Sequence, residues 1–177
     1  QLRVASGLPL PLRQEQLAIH GHAIEARLYA EDADRGFLPS TGTLRRLRLP
    51  APSAHVRVDT GVEEGDSITP YYDPMIAKLI VWDVDRDAAL RRMSQALADC
   101  QVVGVTTNAG FLRRLVNTDS FTHAKLDTAL IEREQAALGR VGDSDDALWL
   151  LAAVAAVATT AGAASDARDP HSPWQAQ

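Results

Sequence analysis

The stretch His20-Gly21-His22-Ala23-Ile24-Glu25-Ala26-Arg27-Leu28-Tyr29-Ala30-Glu31 alternates two kinds of side chain. Successive strand residues point to opposite faces. His22, Ile24, Ala26, Leu28 and Ala30 therefore fall on one side, and Ala23, Glu25, Arg27, Tyr29 and Glu31 on the other. A period of two over this length predicts a half-buried strand with a charged outer face.

Ahead of that strand, Gln1-Leu2-Arg3-Val4-Ala5 reads as the end of a helix already under way, stopped by Gly7 and then by Pro9 and Pro11. Neither an initiator Met nor a signal-peptide layout stands at the start, so the chain is expected to begin mid-protein. Behind the strand, residues 33–42 carry Asp34, Gly36, Pro39, Ser40 and Gly42 and predict a loop. Two further strands are predicted at 43–49 and 56–62, split by Pro50-Ala51-Pro52-Ser53, and antiparallel pairing of these strands is the economical arrangement. Residues 65–74 read as a second loop, and 75–82 as an apolar strand interrupted only by Lys78.

At 83–87 the period changes. Ala89, Leu90, Met93, Ala96, Leu97 and Cys100 recur at three and four, the mark of an amphipathic helix, with Asp85 as its N-cap and an acidic first turn. After an extended link at 102–106, Asn108 can cap a second helix burying Phe111, Leu112, Leu115 and Val116; a third is predicted over 125–138, ending at Gly139. The expected class is α+β, antiparallel strands with flanking helices over residues 1–140, followed by the helical start of a further domain in 141–177.

That tail differs in kind. Residues 142–146 read as a linker and helix start, and 147–164 contain no charged residue. Their length approaches what a bilayer requires, but they are dominated by Ala with Thr159, Thr160 and Gly162 near the end. A helix buried in a following domain is the preferred reading over a membrane span.

Hydrophobic residues at 46% and charged residues at 23% are the profile of a globular chain rather than a disordered one. The net charge of -5 argues against a general nucleic-acid binder, which needs a basic face. The single cysteine, Cys100, continues the apolar helix spacing and reads as a core thiol in a reducing compartment, taken as cytoplasmic.

Arg27 is the most informative candidate for chemistry. Glu25 and Tyr29 share its strand face, with Glu31 beyond, and flanking carboxylates can hold a guanidinium still. A fixed fork of donors suits a planar anion such as bicarbonate and can stabilise charge developing on an oxygen; a surface ladder of opposite charges is the alternative. Tyr71-Tyr72-Asp73-Pro74 either lines a pocket or forms a packed turn in which Asp73 bonds nearby amides. Lys78 reads as a solvated or paired strand lysine. His20 and His22 share a face, but no partner group completes a metal set. The residues by themselves supply no complete active site.

The run from His20 through Asp32, followed by Phe37-Leu38-Pro39-Ser40-Thr41-Gly42, closely resembles the biotin carboxylase C-terminal domain. A second block agrees in the same order: Pro70-Tyr71-Tyr72-Asp73-Pro74-Met75-Ile76-Ala77-Lys78-Leu79-Ile80, then Gly104-Val105-Thr106-Thr107-Asn108. The resemblance covers about residues 1–140. It implies a share in an ATP-grasp reaction, in which ATP activates bicarbonate as carboxyphosphate and the ureido nitrogen of biotin is carboxylated.

Arg27 matches the family's active-site arginine, which the resemblance implies contacts bicarbonate and biotin and stabilises the enolate-like ureido oxygen. Asp73 is carried over as a supporting residue, with Glu25 and Tyr72 in the same biotin and bicarbonate pocket. Arg57, in His55-Val56-Arg57, matches a homodimer contact; stand-alone bacterial members often carry an aromatic three residues earlier, where this chain has Ala54.

The family's ATP-binding lysines, its glutamates for Mg2+ or Mn2+ and its general-base glutamate belong to upstream sequence, so the chain alone is not expected to bind ATP productively. The biotin-accepting lysine belongs to a separate carrier domain. Trp149-Leu150-Leu151-Ala152-Ala153 and Pro170-His171-Ser172-Pro173-Trp174 look like the region after biotin carboxylase in acyl-CoA carboxylase alpha subunits, the start of an inter-subunit domain. Methylcrotonyl-CoA carboxylase is the preferred subtype; propionyl-, acetyl- and geranyl-CoA carboxylases stay open because acyl choice lies in another subunit. The implied partners are the ATP-grasp portion, the biotin carboxyl carrier domain, the carboxyltransferase beta subunit and a second copy, with no nucleic acid and no membrane. Two competing readings are a non-catalytic assembly or dimerisation module and an inert truncation product.

Overall fold

The computed structural model describes residues 1–139; the expected linker, apolar helix and further domain in 141–177 lie outside the described residues. The chain opens with α1 (Leu2–Ala5), β1 (His22–Tyr29), β2 (Glu31–Asp32), β3 (Leu38–Pro39), β4 (Gly42–Thr43), β5 (Arg46–Arg48), β6 (Val56–Thr60), β7 (Ser67–Ile68) and β8 (Met75–Asp83). It continues with α2 (Arg86–Asp99), β9 (Gln101–Val103), α3 (Ala109–Val116), α4 (Asp119–Thr122), α5 (Leu130–Arg133) and α6 (Gln135–Leu138). The α+β expectation holds for the described residues, and every strand pair is antiparallel.

The opening alternation is realised as β1: Ile24, Ala26 and Leu28 are buried, while Ala23, Glu25 and Arg27 are exposed. β1 pairs with the apolar strand β8, which pairs on its other side with β6, giving the order β1-β8-β6. The register aligns Glu25 with Ile80 and Arg57, and Arg27 with Lys78 and Asp59. At the end of β1 the pairing jumps from Leu28 opposite Ala77 to Tyr29 opposite Met75. This bulge breaks the two-residue period of β8, so the neighbours Ile76 and Ala77 both face the interior.

Two apolar clusters hold these elements. The first joins Ile24, Ala26, Leu79 and Val81 of the sheet to Ala89, Leu90, Met93, Ala96 and Leu97 of α2, and includes Val116 of α3. The helix thus covers one sheet face and leaves the other open. Asp85 caps α2 as expected, its carboxylate accepting from the Ala88 amide at 2.7 Å. The second cluster gathers Leu28, Ala30, Leu44, Leu47, Ile68, Ile76 and Ala77, with Cys100 packed against both. The Cys100 thiol lies 3.3 Å from the Ala96 carbonyl, and burial pushes its pKa up to about 11.

The predicted strands at 43–49 and 56–62 do not pair with each other. The first breaks in two: β4 pairs with β7, and β5 with β9, while β6 joins β8. Leu44 and Leu47 both reach the core although three positions apart, a spacing that one flat strand cannot place on one face. The chain bends between them, the Leu44 amide donating to Asp66 and the Arg45 amide to Val103.

The predicted loops at 33–42 and 65–74 contain short paired strands, β3 and the start of β4 in one and β7 in the other. The single helix predicted over 125–138 is two short turns, α5 and α6. Asp127 accepts from the Ala129 amide at 3.0 Å and from Arg133 at 2.9 Å, an Asx turn that delays the helical start.

Candidate anion-binding site around Arg27

On the open face of β1 the Arg27 guanidinium lies beside its strand neighbours, Nε donating to Glu25 Oε1 at 3.2 Å. Hydrogen bonding to the Glu25 and then the Tyr29 side chain, reinforced by their charge, raises its pKa further, so the group stays cationic. Its side chain is nonetheless 61% exposed. With Nε turned to Glu25, a cation held in place presents N–H donors outward, the arrangement that suits a planar oxyanion.

The next strands complete a row of charge. Lys78, level with Arg27, sits 3.5 Å from Asp59 Oδ2. Asp59 in turn grips Arg57 through both oxygens, Nε to Oδ1 at 2.8 Å and Nη2 to Oδ2 at 3.0 Å. That bidentate bond to Arg57, with Lys78 nearby, holds the Asp59 carboxyl below its usual range. Lys78 is therefore paired, and Arg57, which is exposed, lies on the same sheet face as Arg27.

Asp73 adopts the turn expected as one of its two readings: Oδ1 accepts from the Met75 amide at 2.9 Å and starts β8. Its charge also reaches Glu31, whose pKa is raised by burial first and by Asp73 second. Tyr71 and Tyr72 stand 89% and 87% exposed on that loop. The structure thus groups Glu25, Arg27 and Tyr29, keeps Asp73 in the turn that starts β8, and leaves Tyr72 open to solvent. His22 Nε2 lies 3.0 Å from Arg86, and the His20 carbonyl accepts from the Trp82 indole at 2.8 Å. Among the described residues no three His, Cys, Asp or Glu side chains could hold a metal ion.

Asn108 departs from its expected role. It occupies the N-cap position of α3 but makes no side-chain cap bond. Its Oδ1 instead accepts from the Tyr29 amide at 2.9 Å, and its Nδ2 donates to the Arg27 carbonyl at 3.2 Å. No periodicity could have announced this, because the partners lie about 80 positions away in sequence. The loops that carry Asn108 and the end of β1 are laced nearby: the Thr106 amide donates to Ser40 Oγ at 2.9 Å, and Gly42 and Gly104 bring their backbones into direct contact.

Residues 25–133 match the Biotin carboxylase C-terminal domain family. The methylcrotonoyl-CoA carboxylase subunit alpha of Dictyostelium discoideum is 46% identical over 99% of this chain, and this chain covers 25% of that protein. The rice (Oryza sativa subsp. japonica) subunit of the same name is 54% identical over 76% of the chain, which covers 18% of it. The biotin carboxylase domain dimer of Hydrogenobacter thermophilus 2-oxoglutarate carboxylase, in complex with MgADP, ADP and bicarbonate, superposes with a TM-score of 0.75 at 36% identity, covering 79% of this chain and 31% of that one. The biotin carboxylase subunit of pyruvate carboxylase matches equally well, with a TM-score of 0.75, 35% identity and coverage of 78% and 31%. The chain spans about a quarter or less of the curated relatives named here. By the matched residues, the identity and the shared fold, this chain belongs to the biotin carboxylase C-terminal domain family.

Proposed function

We propose that the chain forms the biotin-facing part of a biotin carboxylase and contributes to ATP- and bicarbonate-dependent carboxylation of biotin. The observation that carries the reading is the Arg27 guanidinium, steadied by Glu25 yet exposed on an open sheet face. Such a group binds a planar oxyanion and stabilises negative charge arising on a neighbouring oxygen. The bicarbonate in the related 2-oxoglutarate carboxylase structure is an anion of that kind.

In this reading Arg27 is the catalytic contact and Glu25 orients it. Asp73 holds the adjoining loop in its turn, and Tyr72 offers an aromatic face to the incoming biotin. The side chains described fit the oxyanion but not a nucleotide-bound metal. As the family resemblance implies, ATP with its Mg2+ or Mn2+ is assigned to the upstream ATP-grasp portion of the same subunit, and biotin to a separate carrier domain.

Residues 1–140 form the carboxylase part, and 141–177 a linker and the start of an inter-subunit domain. The curated relatives favour an acyl-CoA carboxylase of the methylcrotonoyl type, which adds a carboxyltransferase beta subunit as partner. Arg57 serves a contact between two copies. The single cysteine, Cys100, suits a reducing compartment, taken as the cytoplasm.

The test is bicarbonate-dependent ATP cleavage with free biotin by the whole subunit, wild type against Arg27→Ala, both checked for folding. The expected fall is roughly a hundredfold or more, the scale of one lost electrostatic contact. Equal rates would leave Arg27 a strand residue with no chemical role. A second reading, an assembly module, draws on the position of Arg57 on the open face; it requires Arg57→Ala to disturb oligomerisation and Arg27→Ala to leave the rate intact.

A further inference from the structure

We propose that Asn108 is a positioning residue for Arg27, fixing the strand backbone from which the guanidinium projects. The inference rests on the anion-site reading of Arg27. Among the described residues β1 is an edge strand, paired on one side with β8 and on the other with no strand. The outward backbone groups of its last residues would then be left to solvent or to a side chain.

Asn108 supplies the missing partner. Its side-chain amide carries one acceptor and one donor in the spacing of a peptide group; it takes the Tyr29 N–H at 2.9 Å and gives to the Arg27 carbonyl at 3.2 Å. Its own backbone amide adds a third bond, donating to the Tyr29 carbonyl at 3.2 Å. One residue thus does for the outer edge what a neighbouring strand would do.

The place matters. The bulge between Leu28 and Tyr29 interrupts the inner pairing with β8 at this point, so the ladder alone does not fix the end of β1. Asn108 is only 6% exposed, and its bonds are shielded from competing water. It is in turn anchored by α3, whose first bond runs from the Leu112 amide to the Asn108 carbonyl at 2.9 Å. Arg27 and Tyr29, which flank one another on the open face, are therefore set by a helix terminus on the far side of the strand. A shift of the Arg27 backbone would carry the guanidinium off the oxyanion without removing any group that touches it.

A double-mutant cycle tests this in the whole subunit that contains the chain, with Asn108→Ala, Arg27→Ala and the pair, all checked by circular dichroism. Asn108→Ala is expected to lower kcat for biotin carboxylation about tenfold to a hundredfold, with the KM for ATP unchanged. In the Arg27→Ala background the same substitution is expected to change the rate less than about twofold, because the group it positions is gone. A full-sized effect of Asn108→Ala in that background, or none in the wild type, would overturn the proposal.

Should Asn108→Ala fail to fold, Asn108→Asp takes its place, since it keeps an acceptor for the Tyr29 amide and sets a carboxylate oxygen in place of the donor to the Arg27 carbonyl. A folded Asn108→Asp with wild-type kcat would overturn the proposal equally. Failure of the underlying reading looks different: Arg27→Ala itself would then leave the rate unchanged.

Discussion

At Gly104 the backbone adopts φ 115°, and a Cβ built there would stand 1.9 Å from the Thr43 carbonyl oxygen. Neither strain nor contact can be relieved by a side-chain rotation, because both obstacles are backbone. Gly36 offers the comparison, with φ 68° but open space around it. Gly36→Ala should cost about 1–2 kcal/mol, the conformational term alone, whereas Gly104→Ala should exceed about 3 kcal/mol or fail to fold; urea unfolding of the two variants measures the gap. Cys100 gives a second test at this scale. Its thiol pKa rises from 9.0 to about 11, so at pH 8 the thiolate fraction is about a hundredfold smaller than for an unperturbed thiol. Alkylation of this single cysteine should be slower by about that factor until denaturant is added.

Among the elements, α2 is the one that local sequence rules describe most fully. Its cap, its acidic first turn and its five buried residues all fall where the spacing places them. Asp85→Ala removes the bond to the Ala88 amide and should cost about 1 kcal/mol. Met93→Ala empties a fully buried site between α2 and the sheet and should cost about 2–5 kcal/mol. Thermal or chemical unfolding compares them, and a Met93→Ala loss no larger than that of Asp85→Ala would contradict the packing described. α3 obeys a different logic. The position that reads as its cap spends its side chain on β1, so residues 104–108, quoted for their family resemblance, act here through backbone approach and hydrogen bonds.

Across the whole described domain, three carboxylates are held below their usual range. Asp59 is lowered first by its bond to Arg57, Glu64 by the Leu47 amide, and Asp83 by the Val84 amide followed by Arg92. A carboxylate with a depressed folded pKa contributes stability that is present above its unfolded pKa and is lost as pH falls through the folded value. Glu31 acts oppositely: burial and Asp73 raise its pKa, so its charge penalty is present at neutral pH and is relieved on acidification. The three lowered carboxylates, each held by named hydrogen bonds, set the expected sign. Melting temperature should hold near neutral pH and fall as pH drops below the usual carboxylate range, and Glu31→Gln should raise it at neutral pH. A flat profile down to the folded pKa values would mean that these bonds do not persist in solution.

The sequence by itself determined what depends on neighbours a few residues apart. The alternation of β1, the apolar run of β8, the period and cap of α2 and the Glu25-Arg27-Tyr29 face are all local consequences of backbone geometry, and the motif blocks carried the family resemblance. Only the tertiary structure decided the rest. Arg46–Arg48 pairs with Gln101–Val103 rather than with the strand after it, because Leu44 and Leu47 must both reach one core. Asn108 meets Arg27 because folding brings a helix terminus against a strand edge that has no strand partner among the described residues. Such contacts answer the demand of buried backbone groups for partners, and that demand is met in space, where sequence separation leaves no periodic trace.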